Sequence, residues 1–137
     1  MQGVARNFFT MAVIYSLLGM TLGLSMAMSQ DHSQIPTHAH IMVLGWLMSA
    51  VFAFFYHLVP AAGASRLAGI HFWLAALSSL GMFIGLFVLY GGNPSIEPVL
   101  GVSAMAYFAA TILFAYIAIT ALWRGATASA APRMATN

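Results

Sequence analysis

The sequence predicts an all-α integral membrane protein of four transmembrane helices running up and down. Three observations predict it. Hydrophobic residues make up 62% of the 137 and charged residues only 4%, against about 25% charged in an ordinary soluble domain. Four apolar runs, Phe8–Met28, His40–Pro60, Gly69–Tyr90 and Pro98–Trp123, are each near or above the roughly 20 residues that cross a bilayer as a helix. The charges then alternate by side. All four cations are arginines, Arg6, Arg66, Arg124 and Arg133, in the N-terminus, second loop and C-terminus, while Asp31 and Glu97 fall in the first and third loops. The positive-inside rule puts both termini in the cytoplasm. A net charge of +2 gives no reason to expect a nucleic-acid partner.

The first helix follows Arg6-Asn7 and carries Gly19 and Gly23, a small-x-x-x-small pair that permits close helix approach. Its apolar run is too long for a cleaved signal peptide. Loop Ser29–Thr37 is the most polar stretch, and Pro36 suits the first turn of the second helix, with Thr37 as its cap. That helix ends at His57-Leu58-Val59-Pro60. A short loop with Gly63, Ser65 and Arg66 leads to the third helix, which opens Ile70-His71-Phe72-Trp73. Gly91-Gly92-Asn93-Pro94 is a turn. The fourth helix ends at Trp123-Arg124-Gly125. The domain is therefore residues 1–125, followed by an Ala/Ser/Thr-rich tail, 126–137, expected to be disordered and cytoplasmic.

Chemistry concentrates in Thr37-His38-Ala39-His40. Histidines are costly inside a membrane helix and point to a ligand role, with an interfacial pair of polar residues facing the headgroups as the alternative. Residues i and i+2 on an α-helix differ by about 200° in direction. One regular helix cannot grip a single metal with both, so each would serve a different centre. His57 follows His38 by 19 residues, about 28 Å along a helix, and cannot share that centre. His57 and His71 lie on the same side of the membrane. A metal site between them is conceivable, but two interfacial histidines bonded to backbone or water are the simpler reading. His32 belongs to the polar loop, solvated or near a cofactor edge. Met42, four residues from His38, is a candidate haem ligand, with apolar packing as its ordinary role. The absence of cysteine excludes thiolate haem ligation, Cys-held iron–sulfur clusters and covalent c-type haem. The sequence holds no phosphate loop, no hydrolytic triad and no acid in a helix centre, which argues against a carboxylate-driven pump.

The second helix, His38-Ala39-His40-Ile41-Met42-Val43 through His57-Leu58-Val59-Pro60, resembles the catalytic subunit of the haem–copper oxidases. The tenth of that family's twelve helices carries an H-x-H pair, then a histidine and a proline at the spacing of His57 and Pro60. Its next helix contains Ile-His-Phe, as in Ile70-His71-Phe72. Its second helix begins His-Ala with a methionine four residues on and ends Leu-Val-Pro, as in His38-Ala39, Met42 and Leu58-Val59-Pro60. The resemblance spans residues 10–90 and is most specific over 37–73. The first and fourth helices match in character only.

The family's twelve helices form three arcs of four, so the resemblance implies one arc standing alone, three copies of which would rebuild the twelve-helix body. In the family the first histidine of H-x-H binds the high-spin haem and the second the low-spin haem. The residue matching His38 on the second family helix supplies the other low-spin ligand. A homotrimer would then hold each haem b between His38 of one protomer and His40 of its neighbour. The departures are equally clear. There is no vicinal His-His pair and no His-x-x-x-Tyr motif, so copper is not expected and oxygen reduction by the family mechanism is unsupported. No arginine stands on the histidine side to receive haem propionates. His32, Gln34, tryptophans or backbone amides would have to serve.

The expectation is a haem b membrane cytochrome of a bacterial or archaeal cytoplasmic membrane. Its partners would be the lipid bilayer, its own copies and a quinol or redox protein. Two alternatives stand beside it: an oxidoreductase or O₂/NO-binding protein with an open iron site, and a non-haem assembly or scaffold protein of a respiratory complex. Whether the protein is an enzyme stays open at this point.

Overall fold

A computed structural model describes residues 1–129, with side chains described for 1–123. Four helices, Gly3–Ser29, Ile35–Leu58, Arg66–Tyr90 and Pro94–Trp123, are long and apolar enough to cross a membrane. They are called here the first to fourth spans. Helix is the form that satisfies every backbone polar group within a single segment in lipid. The spans begin before the apolar runs because interfacial polar residues such as Arg6 and Arg66 belong to the same helices.

Local chemistry sets the ends. The first span stops at Gln30, which takes the left-handed conformation (φ 59°) common where a helix terminates. The second begins with Pro36 in its first turn. It ends at Val59, pushed out of helical geometry (φ −120°, ψ 72°) by the proline that follows. A single turn, Pro60–Gly63, bridges to the third span, whose first turn is capped by Ser65 accepting from the Ala68 amide at 3.2 Å. A 3₁₀ turn, Pro94–Ile96, capped by Asn93, opens the fourth span. The helix that follows, Glu97–Ser129, continues past Arg124-Gly125. Of the expected disordered tail, 126–129 are its last turn and the remainder lies outside the described residues.

The packing follows seams of small residues. The first span buries Ala5, Phe8, Ala12, Tyr15 and Gly19, spaced alternately three and four. The third buries Ala68, His71, Ala75, Ser78 and Met82 in the same rhythm. That is the spacing of a left-handed helix seam. Lipid tails are as apolar as leucine, so close approach of small residues and polar contacts drive this association. The second and third spans meet at the centre of the bundle, where Phe52 lies against His71 at 4.7 Å. The first span packs on one flank, with Phe8 against Phe52 at 5.3 Å. The fourth packs on the other, with Phe114 against Phe52 at 4.5 Å. Leu17, Leu24, Trp73, Met105 and Phe108 stay exposed, as suits side chains facing lipid.

The second span is not a regular α-helix. Residues Ile41–Leu47 form a π-helix immediately after His40. Thr37, Ile41, Gly45 and Ser49 are all buried and stand four residues apart. On a regular α-helix each four-residue step drifts by about 40°, or roughly 120° over three steps. The wider i→i+5 turn absorbs that drift and keeps the four residues on one face. Gly45 is required there, since a Cβ would stand 2.9 Å from the Phe83 ring and 3.0 Å from that of Tyr15. The Tyr107 hydroxyl of the fourth span donates to the Leu44 carbonyl at 2.8 Å, supplying a partner to a carbonyl inside the π segment.

Candidate functional site

His38 and His40 both lie in the α-helical turn Ile35–His40, just ahead of the π segment. Both are half-buried. His38 turns towards the first span. Its ring fills the notch left by Gly23, where a Cβ would meet His38 Cε1 at 2.9 Å. Its Nδ1 lies 2.8 Å from the Gly19 carbonyl. Met42 enters the same notch, with its sulfur over Gly19. Gly19 and Gly23 therefore admit side chains of the second span, which explains the small-x-x-x-small spacing. His40 departs from the other flank and places Nδ1 2.7 Å from the Pro36 carbonyl, one turn back on its own helix.

A carbonyl can only accept, so each Nδ1 carries the proton and each Nε2 keeps its lone pair. Among the described residues neither Nε2 is hydrogen-bonded. An imidazole held by Nδ1–H to a backbone carbonyl, with Nε2 free, is an arrangement that metal-ligating histidines share. The chain presents two such groups on diverging faces, and no described cluster brings three metal-ligating side chains together.

The surrounding loop is ordered but has little to offer an anionic group. Gln34 donates to the Phe87 carbonyl at 3.1 Å and accepts from the Thr37 hydroxyl at 2.7 Å. Its amide is thus committed to the third span. His32 is exposed, with Nδ1 3.0 Å from the Gln30 carbonyl. Asp31 accepts from the Ser33 amide at 2.9 Å. The Ser33 amide, then its hydroxyl, hold the Asp31 carboxyl below its ordinary value, and His32 adds to the effect.

At the opposite end of the bundle, His57 and His71 are not joined. His57 is exposed and lines a cavity of about 500 Å³ with Met1, Gln2, Tyr56 and Pro60. His71 is fully buried, between Phe8 at 4.9 Å and Phe114 at 5.5 Å. Its Nδ1 pairs with the Tyr56 hydroxyl at 3.0 Å, and its Nε2 has no partner among the described residues. Sequence reasoning missed Tyr56. The available signal was its spacing from Ser49, Phe52 and Ala53, three and four residues apart on the buried face of the helix.

A second cavity of about 380 Å³ lies among the first three spans, lined by Tyr15, Leu22, Thr37, Ile41, Phe83 and others. It is level with the His38/His40 turn, but neither histidine lines it. No family model, curated protein or solved structure matches the chain. The functional reading therefore rests on the residue pattern and the geometry.

Proposed function

We propose that this chain is the subunit of a haem b membrane cytochrome that transfers electrons, with His38 and His40 as axial ligands. What supports the reading is the tautomer that the two backbone hydrogen bonds impose. Both Nδ1 atoms are spent on carbonyls, and both Nε2 atoms are left as free donors of a lone pair. Because the two rings leave opposite flanks of one helix, each completes its site with a neighbouring copy. A homotrimer patterned on the twelve-helix body pairs His38 of one protomer with His40 of the next.

Held by His38 and His40, haem would supply a one-electron couple. The residues of this chain do the rest. The Gly19–Gly23 notch fixes the His38 ring, the Pro36 carbonyl fixes His40, and the exposed apolar faces dissolve the assembly in the bilayer. The arginine-bearing end is read as cytoplasmic, in a bacterial or archaeal membrane. The electron donor is a quinol or a membrane reductase, and the acceptor lies on the histidine side. In the test, His38→Ala or His40→Ala abolishes haem retention and His57→Ala does not. Unchanged haem content in the first two variants removes the assignment.

A second reading follows from one asymmetry. His38 is anchored to a neighbouring helix, whereas His40 is anchored only within its own turn. If His38 alone ligates, the iron keeps an open position for O₂ or NO. A high-spin ferrous spectrum that shifts readily with CO would favour it. Colourless protein from haem-replete cells would favour a scaffold role instead.

A further inference from the structure

We infer that Tyr107 of the fourth span is a positioning residue that aims the His38/His40 turn, by holding the π segment Ile41–Leu47 open against closure to α-helix. Its purpose rests on the haem reading, but its test needs no haem. The buried Thr37 and Ser49 stand twelve residues apart on one face of the second span. Twelve steps of about 100° overshoot three turns by about 120°, whereas eleven overshoot by about 20°. The second span therefore carries one residue more than a regular α-helix needs between the histidine turn and the core. The π segment takes up the surplus.

One carbonyl decides between the two forms. The Met48 amide, whose α-helical partner is the Leu44 carbonyl, bonds instead to the Val43 carbonyl five residues back. The Tyr107 hydroxyl donates to the Leu44 carbonyl at 2.8 Å and stands in for that amide. Its ring is fixed in a buried cluster with Tyr15, Ile41 and Phe83. If the segment closes to α-helix, the Met48 amide returns to Leu44, and the turn Ile35–His40 rotates by about 120° against Met48–Leu58. His38 then leaves the Gly19–Gly23 notch and loses the Gly19 carbonyl. His40 swings with it, because its anchor, the Pro36 carbonyl, belongs to the same turn. The turn is thus a two-position element, and Tyr107 selects the position that seats His38.

The chain has no cysteine, so a single introduced thiol reads a single position. Thr37→Cys places one above the π segment and Ser49→Cys one below it, at sites 1% and 2% exposed. Full-length protein in mild detergent is alkylated with N-ethylmaleimide, and the rate reports how often each site opens. Adding Tyr107→Phe is expected to speed Thr37→Cys about fivefold, the worth of one net hydrogen bond, and to leave Ser49→Cys unchanged. Deleting Val43, whose side chain is exposed, removes the surplus residue. The shortened protein should fold, keep Thr37→Cys protected and no longer respond to Tyr107→Phe. An unchanged rate at Thr37→Cys overturns the proposal, as does equal acceleration at both sites, which is general loosening. So does an effect of Tyr107→Phe that survives the Val43 deletion, or a deletion variant that cannot fold.

Discussion

Replacing Tyr56 by Phe exposes the energetics of the buried pair it forms with His71. The hydroxyl meets His71 Nδ1 at 3.0 Å, and His71 Nε2 is already unpartnered. Tyr56→Phe leaves both ring nitrogens unsatisfied, at a cost of about 1–3 kcal/mol for the newly orphaned one. His71→Leu orphans the Tyr56 hydroxyl but removes the Nε2 orphan, so the two terms, each about 1–3 kcal/mol, nearly offset. The double variant orphans nothing. It is expected to be more stable than Tyr56→Phe alone, and because it recovers both orphaning terms the coupling energy is about 2–6 kcal/mol. Denaturant titration in detergent, followed by circular dichroism, measures all four corners of the cycle. Strictly additive losses would refute the reasoning, because they would mean the groups act independently. Haem content should be the same in all four proteins, since the pair lies at the other end of the bundle from His38.

Other outcomes follow from the same geometry. Gly23→Ala puts a Cβ 2.9 Å from His38 Cε1. It should displace the ring, break its bond to Gly19 and lower both haem per chain and stability, the latter by about 1–3 kcal/mol. Tyr107→Phe removes the donor to the Leu44 carbonyl and should cost about 1 kcal/mol. Amide exchange should quicken across Ile41–Leu47 in the same variant. Asp31 has a depressed carboxyl value in the folded loop. Its contribution is therefore present above the unfolded value and is lost as pH falls through the folded one. Ser33 amide exchange should report that loss in acid, and Asp31→Ala should remove the pH dependence.

Much of this was legible in the sequence for physical reasons. Lipid forces helices on apolar runs, and proline and glycine mark where they stop, so the four spans and the break at Val59-Pro60 could be read directly. The diverging directions of His38 and His40 followed from helix periodicity, because the turn that carries them is regular α-helix. The π segment was not anticipated. Its trace is the four-residue recurrence of Thr37, Ile41, Gly45 and Ser49, which looks like one α-helical face until the drift is added up. Gly19 and Gly23 suggested close helix approach but not that a histidine ring would fill the space. The His71 partner is a tyrosine, since burial in an aromatic cage rewards a phenol that brings its own hydroxyl more than it rewards an exposed imidazole. That choice depends on side chains from three other spans, which no local pattern encodes.

A dithionite-reduced minus oxidised visible spectrum of the purified protein, with a pyridine haemochrome assay, tests the central claim most directly. The account predicts a sharp low-spin b-type spectrum with about one haem per chain, the stoichiometry of one iron shared between each His38 and the neighbouring His40. Protein from haem-replete cells that shows no haem would contradict it.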